Sequence, residues 1–502
     1  MTILYSREVR DHWGANKGEE TGLLLLLLLV VVLMLGCGGG RSSRPVPAPP
    51  YLPGPGTGTG SGTGGSNNGP DNGGDSTAVL ENLSGFDSVP DHIVSFELKI
   101  ESVTLHSSEK DISLLDGQFT PRSFEFTRQS LTLEPLFFGK VPRNRYSGIT
   151  IIVSNPTIVF MDASGILHSV PASLTSDTQV IDIPFDVGSA PMFFDLTLLG
   201  DSVSFGEGDV VKVAPHFAVF GPWKVQNSVG TVNGLVGRVT SVGPGSFGVS
   251  VGRDYPCCFP GAVEDFAFAI NSNTEFDGVA GLDVLKEDMT VEVDAGFYAD
   301  GSLLASKVKL VSNLPSAVVF EGITLNAAPS QFKLLIRDIQ EPYEVFGAPD
   351  GGIVNVADST QFHVDAENVD LKNLNFSPSF DALTMAPGQN VRATAASAAN
   401  AANPDQVRLE QQEIEGVAAD LTAGSVPYQY SFPLRFGADS ALARITGADS
   451  VLVVVQPSTY LDTGDPLAAC VSCIPGKRVR ARGLLFYSGG QYQLVASEIS
   501  TN

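Results

Sequence analysis

The stretch from Val94 to Glu101 reads VSFELKIE and decides the fold class of this chain. Its apolar residues stand at every second position, which is the pattern of a β-strand with one buried face. The phase slips by one residue before Val103, as a β-bulge would cause. Further strands are predicted at 130–133, 148–153, 157–162, 179–183, 193–199 and 210–220, separated by turn residues. Short strands at such intervals predict an all-β fold, with a β-sandwich over residues 77–222.

The composition supports many short strands and excludes one class of partner. The chain has 502 residues, enough for three or four domains, and it contains 53 Gly and 32 Pro residues. The formal net charge is −25, so the chain should be repelled by phosphate backbones. We therefore expect no nucleic-acid partner.

The first module also resembles a known family. The order FELKIESVTLHS (96–107), LTLEPLFFGKVPRNRYSGITIIVSNPTIVFMDASGILHSVP (131–171) and VKVAPHFAVF (211–220) is similar to the domain of unknown function 4382. That resemblance implies a transthyretin-like β-sandwich behind a lipoprotein signal, and it implies no activity.

The second half of the chain repeats one order of features three times. Each copy opens on a strand with a central glycine, namely Gly237, Gly322 or Gly416, and these lie 85 and 94 positions apart. Each then has a threonine near an aromatic residue, at Thr274, Thr360 and Thr459, and closes with a further strand. Such a period predicts duplicated domains over 228–312, 316–412 and 413–502. The pattern resembles the domain of unknown function 5666, which implies three small OB-like β-barrels.

The closing strands carry different charges at their outward positions. These are Thr290, Glu292 and Asp294 in the first repeat, Asn390, Arg392 and Thr394 in the second, and Arg478, Arg480 and Arg482 in the third. Because the charge changes from one repeat to the next, we interpret these positions as solvated surface. The alternative is that Arg478, Arg480 and Arg482, with Lys477, form a stripe that binds an anionic glycan or a phosphate group.

The N-terminus predicts export. Residues 23–36 form an apolar run of 14 residues, LLLLLLLVVVLMLG, which spans only about 21 Å as a helix and suits a signal peptide better than a membrane span. The run ends in Met34-Leu35-Gly36-Cys37, which resembles the lipobox of bacterial lipoproteins. The resemblance implies a signal peptide over 1–36, lipidation of Cys37 and, with no Asp after Cys37, an outer-membrane anchor. The alternative is an uncleaved N-terminal anchor. The Gly/Pro/Ser-rich residues 37–76 are predicted to be a disordered tether.

Four further cysteines remain, at Cys257, Cys258, Cys470 and Cys473. In an oxidising envelope this even number predicts disulfides. A zinc site and thiol redox chemistry are the alternatives.

No motif predicts catalysis. The six histidines show no metal-ligand spacing, and Gly200-Asp201-Ser202 is interpreted as a turn, although it is similar to a nucleophile loop of some esterases. We therefore predict no catalytic residue, cofactor or metal. The expected function is a lipid-anchored, non-enzymatic envelope protein that binds a glycan, a matrix component or another envelope protein. A hydrolase without a recognisable motif and a purely structural spacer are the alternatives, and the oligomeric state is left open.

Overall fold

The computed structural model describes residues 76–86, 92–115, 121–129, 134–162, 164–206, 210–225, 229–254, 263–340, 352–367, 369–424, 429–438, 440–462 and 474–501. All of them belong to one compact unit that runs from Asn68 to Asn502. The export segment, Cys37, the predicted tether up to residue 75 and the four other cysteines lie outside these residues, and Ser76, the last residue of the predicted tether, begins the first strand. Among the helices that the structure describes, none has the length and apolar character needed to cross a bilayer.

The fold is all-β, as predicted. The first fourteen strands are β1 (Ser76–Phe86), β2 (Ile93–Ser107), β3 (Ile112–Ser113), β4 (Arg122–Glu125), β5 (Glu134–Pro142), β6 (Arg145–Met161), β7 (Leu167–Pro171), β8 (Ser173–Leu174), β9 (Thr178–Ile181), β10 (Phe185–Asp186), β11 (Met192–Leu198), β12 (Val203–Phe205), β13 (Val211–Val213) and β14 (Phe217–Lys224). One helical turn, α1 (Phe126–Gln129), lies between β4 and β5.

These strands form a four-stranded sheet, β14-β11-β1-β5, and a seven-stranded sheet around β6 and β2, with β8, β12 and β13 in a small third sheet. The register between β2 and β6 shifts after Ile100, where the sequence predicts a bulge. The predicted strands 148–153 and 157–162 are one strand, β6, which bulges at Asn155. Asn155 has φ of 49°, and asparagine tolerates this left-handed conformation, so the chain bends without ending the strand. The predicted strand 130–133 lies outside the described residues.

The repeats follow with nineteen strands and a second helix, α2 (Ala441–Thr446). The strands are β15 (Gly230–Gly243), β16 (Ser246–Asp254), β17 (Val263–Ala269), β18 (Glu275–Asp277), β19 (Thr290–Phe297), β20 (Leu303–Ser312), β21 (Val318–Ala328), β22 (Gln331–Gln340), β23 (Gly352–Asn355), β24 (Gln361–Val364), β25 (Asn390–Ala395), β26 (Gln406–Leu409), β27 (Gln412–Ala418), β28 (Thr422–Ala423), β29 (Tyr430–Arg435), β30 (Ser450–Val455), β31 (Tyr460–Asp462), β32 (Arg478–Ser488) and β33 (Gln491–Thr501).

The three repeats share one strand order. The first closes into a five-stranded barrel, β15-β19-β20-β17-β16 and back to β15, in which β17 and β20 run parallel. The third closes in the same order, β27-β32-β33-β30-β29, with β30 parallel to β33. This is the order of an OB-like barrel. The second repeat has the corresponding order β23-β22-β21-β25-β26-β24, but no pairing among its described residues joins β23 to β26.

The shared glycine has a steric reason in all three repeats. A Cβ on Gly322 would lie 1.9 Å from the carbonyl oxygen of Leu335 on the second strand of the repeat. The corresponding distances are 2.4 Å from Gly416 to the Arg435 oxygen and 2.6 Å from Gly237 to the Ser250 oxygen. Because any side chain would meet the backbone of the neighbouring strand, only glycine fits.

The shared threonine ties a loop to the last strand region of each repeat. The Thr274 hydroxyl accepts a hydrogen bond from the amide three residues earlier, at 3.1 Å, and donates to the carbonyl oxygen of Ala305, at 2.7 Å. Thr360 and Thr459 make the same pair of bonds, the second of them to the oxygens of Pro404 and Ala496. The repeated motif is therefore one repeated loop anchor.

The modules pack on each other through their cores. One hydrophobic cluster runs without interruption from the sandwich into the first barrel. The core of the second repeat includes Leu484, Phe486 and Val495, which belong to β32 and β33 of the third repeat. The ring of Phe376 lies 5.9 Å from that of Phe486, centroid to centroid. Side chains of the third repeat thus complete the core of the second repeat.

Candidate functional site

A cavity of about 410 Å³ lies where the three repeats meet. Seven carboxylates and two arginines line it, together with Tyr460 and several smaller polar residues. The carboxylates are Glu292 and Asp294 of the first repeat, Glu321, Asp365, Glu367 and Glu410 of the second, and Glu498 of the third. The arginines are Arg392 and Arg482.

The interpretation of the outward strand positions as solvated surface is wrong for the first two repeats. Thr290 is 3% exposed, Asn390 is 2% exposed and Arg392 is 8% exposed. Strands β19, β25 and β32 contribute residues to the walls of one cavity, so the charges that differ between repeats complement one another across the junction. Arg392 contacts Glu292 across the junction, so the packing of the repeats against one another buries these charges.

Arg392 is the centre of a buried ion-pair network. Its guanidinium contacts Glu292 of the first repeat, Glu321 at 3.3 Å and Glu410 at 3.4 Å. Lys309 of the first repeat adds a contact to Asp365 of the second and lies 3.7 Å from Glu292. Charges of one repeat are therefore neutralised by charges of the other, and the network joins them.

Two glutamates of this network differ in protonation. Burial alone would raise the pKa of Glu292, but the charges of Arg392 and Lys309 more than offset it and lower the pKa to about 2. Burial raises the pKa of Glu410 to about 8, because Arg392 offsets it only in part. The Oε1 atom of Glu410 is buried and accepts no hydrogen bond, despite its ion-pair distance to Arg392. Glu410 therefore keeps its proton near neutral pH, while Glu292 is charged.

Asp294 stands on the next outward position of β19. One of its oxygens accepts a hydrogen bond from the backbone N–H of Gly234 at 2.7 Å. Gly234 has φ of 66° and lies where the register between β15 and β19 shifts, so a bulge aims this N–H at the carboxylate. Burial nevertheless raises the pKa of Asp294 to about 6.

Three of the acidic groups could in principle hold a metal ion. Carboxylate oxygens of Glu292, Asp365 and Glu367 all lie within 4.8 Å of one another. The Lys309 ammonium already contacts Asp365, and Lys307 lies 2.8 Å from Glu367. Two lysine side chains thus already neutralise carboxylates of this cluster. The cluster therefore suits ion pairs with lysine better than the coordination of a metal ion. Sequence reasoning missed the group because its members come from two repeats and share no spacing motif.

The wall from the third repeat has a different character. The Nε atom of Arg482 is buried without a hydrogen bond, and Glu498 lies opposite it in the register of β32 and β33. Tyr460 pairs with Glu498 on the other side, and the tyrosine is 62% exposed. The hydroxyl of Ser497 donates to the side-chain oxygen of Gln411 at 2.7 Å. The third repeat thus lines the cavity with the solvent-exposed ring of Tyr460 and with polar groups that can donate or accept hydrogen bonds.

The arginine stripe of the third repeat faces an acidic strand. Arg478 contacts Glu415, and Arg480 lies 3.2 Å from Glu413, both on β27. Burial raises the pKa of Glu413 to about 7. Arg482 lines the cavity, and Lys477 is exposed at the turn before β32. Anion binding by this stripe stays a prediction.

The Gly200-Asp201-Ser202 segment forms a short helical turn before β12. The Ser202 hydroxyl is buried and accepts the backbone N–H of His216 at 3.0 Å, while the His216 ring contacts Asp201 at 2.9 Å. The hydroxyl thus contacts the backbone of this histidine. This geometry favours the turn interpretation.

Comparison with known proteins supports one part of the repeat region. A family model described as a domain of unknown function, DUF5666, matches residues 236–309, which lie in the first barrel. A search of curated proteins finds no match. The resemblances of the first module to the domain of unknown function 4382 and of the N-terminus to a lipobox stay predictions.

Proposed function

We propose that this chain is a lipid-anchored envelope protein that binds a glycan in the cavity between its three repeats and catalyses no reaction. The observation that carries the proposal is the cavity itself. Its volume of about 410 Å³ falls in the range of about 300–1,000 Å³ that is usual for small-molecule sites. All three repeats contribute lining residues, so the cavity exists only because the repeat is present in three copies.

The chemistry of the cavity edge suits a sugar. Carboxylates and the Gln411 amide can accept hydrogen bonds from sugar hydroxyls, and Arg482 can donate to them. The exposed ring of Tyr460 offers a flat apolar surface on which the C–H face of a sugar ring can pack.

Tyr460→Ala is expected to weaken glycan binding by about tenfold or more, because it removes the aromatic surface from the cavity edge. Ligands are first identified with the full chain on a glycan array, and affinities are then measured by titration calorimetry. Tyr487→Ala is the matched control, since Tyr487 is 39% exposed on β32 and does not line the cavity. Equal affinity of both variants and the parent chain, or the absence of any bound glycan, would contradict the proposal.

Export and lipidation place this site outside the cytoplasm. In cells, the mature protein is expected to begin at an acylated Cys37, and Cys37→Ser is expected to leave it unacylated and released from membranes. Intact-mass spectrometry after membrane fractionation measures the acylation and the release of the protein from membranes.

Intact-mass spectra taken with and without thiol alkylation should show that Cys257, Cys258, Cys470 and Cys473 are oxidised. A mature chain that retains Met1 and four free thiols would refute the placement.

A further inference from the structure

The cavity carries more negative than positive charge. Seven carboxylates line it, against two lining arginines and the two lysines, Lys307 and Lys309, that contact those carboxylates. Near neutral pH Glu410 keeps its proton, so six of the seven carboxyls are charged against these four cations. Arg408 also acts on Glu292, so about one negative charge remains among these groups.

The lining carboxyls are not all paired with a cation to the same degree. Glu498 of the third repeat makes no ion pair within the described residues, and Asp294 accepts a single backbone hydrogen bond. Glu410 is 6% exposed, and its Oε1 atom lies 3.4 Å from the Arg392 guanidinium without accepting a hydrogen bond from it. Its proton, or a donor on a ligand, can satisfy a carboxyl in this position.

We infer that the bound sugar carries a free ammonium group, so that the ligand is an amino sugar without an N-acetyl group. This inference rests on the proposed glycan binding and names the class of glycan. An ammonium group has three donors and one positive charge, and it can contact several carboxylates at once. An N-acetyl group has one donor and no charge, so it would not neutralise the excess negative charge of the cavity. An anionic sugar would meet net repulsion.

Two of the lining carboxyls hold protons more readily than an ordinary carboxyl does. Glu410 has a pKa of about 8 and Asp294 a pKa of about 6, both raised by burial. The groups around Glu410 are Arg392 on β25, Lys309 on β20, Glu292 on β19 and Asp365 after β24.

The charged groups around Asp294 are Glu292 on the same strand, Glu367 and Lys307. An ammonium group that enters the cavity lowers the pKa of both carboxyls, so the ligand displaces protons. Binding of an amino sugar should therefore release protons, and binding of a neutral sugar should not.

The test compares two disaccharide probes that differ at the nitrogen: a glucosamine disaccharide and its N-acetylated counterpart. Each is titrated calorimetrically into the full chain at pH 6 in two buffers of different ionisation enthalpy. At pH 6 the amine is charged, since amines of this kind titrate near the α-amino range of about 7.7–8.0. Salt at about 0.15 M and a short probe limit non-specific attraction to a chain of net charge −25.

The amino disaccharide is expected to bind at least about tenfold more tightly than the N-acetylated one and to release protons. Glu498→Gln should reduce this preference, and Glu410→Gln should reduce the proton release while leaving the fold intact, since glutamine resembles the protonated carboxyl. Glu287→Gln is the control for lost charge, because Glu287 is exposed and outside the cavity.

The outcomes separate the inference from the proposed function. Equal binding of both probes without proton release would overturn the ammonium inference and leave glycan binding standing. Binding of Ca²⁺ that excludes the amino disaccharide would overturn it in favour of a metal site. If no glycan binds at all, on the array or in solution, the proposed function itself fails.

Discussion

Arg392→Met is expected to lower the free energy of unfolding by about 3–5 kcal/mol, the usual loss when one partner of a buried ion pair is removed. The substitution keeps much of the side-chain volume but leaves Glu292, Glu321 and Glu410 without their shared cation. Lys309 can compensate Glu292 only in part, from 3.7 Å. The loss should be larger at pH 8 than at pH 5, because at pH 5 the uncompensated carboxyls can take up protons.

Urea denaturation followed by circular dichroism measures this effect at both pH values. Arg435→Met is the matched control, since Arg435 is exposed on β29 and outside the cavity. It should change stability by no more than about 0.5 kcal/mol. A loss below about 1 kcal/mol for Arg392→Met at pH 8, the range of a surface ion pair, would show that the network does not hold the repeats together.

Gly322→Ala is expected to destabilise the second repeat by about 3 kcal/mol or more, at the upper end of the effect of overpacking. The added methyl would lie 1.9 Å from the Leu335 carbonyl oxygen and 2.8 Å from its carbon, and both are backbone atoms that cannot rotate away. Strands β21 and β22 would have to separate there. Gly237→Ala should have a smaller effect, because two of its three nearest atoms, on Val249 and Val251, belong to side chains.

Thermal denaturation of the full chain measures these changes as a shift of the lowest transition. Gly188→Ala is the control, because a Cβ there meets nothing within 4 Å. Its melting temperature should match that of the parent chain. An unchanged transition for Gly322→Ala would mean that the close approach of the two strands is not required for the barrel.

The repeats could be predicted from the sequence because their signals are local. The glycine and threonine of each repeat have direct steric and hydrogen-bonding reasons within one barrel, and a period of two marks strands wherever one face is buried. The bulge after Ile100 is a signal of the same kind. Such features depend on residues close in the chain or on adjacent strands.

The cavity could not be predicted because it depends on contacts between repeats. Glu292 and Arg392 stand 100 positions apart and each resembles a solvated residue within its own strand. Only the packing of one barrel against another turns the two charges into a buried pair. Glu410 follows β26 in a position that no motif marks, and its raised pKa results from burial by its neighbours.

The shared core of the second repeat also affects how the chain is made. Synthesis proceeds from the N-terminus, so residues 316–412 emerge before Leu484, Phe486 and Val495 of β32 and β33, which fill their core. The sandwich and the first barrel can close as soon as their own strands are available. The second repeat must wait with an apolar surface uncovered until the last strands arrive. A polypeptide cut short near its C-terminus would therefore display that surface permanently and become a target for chaperones and proteases.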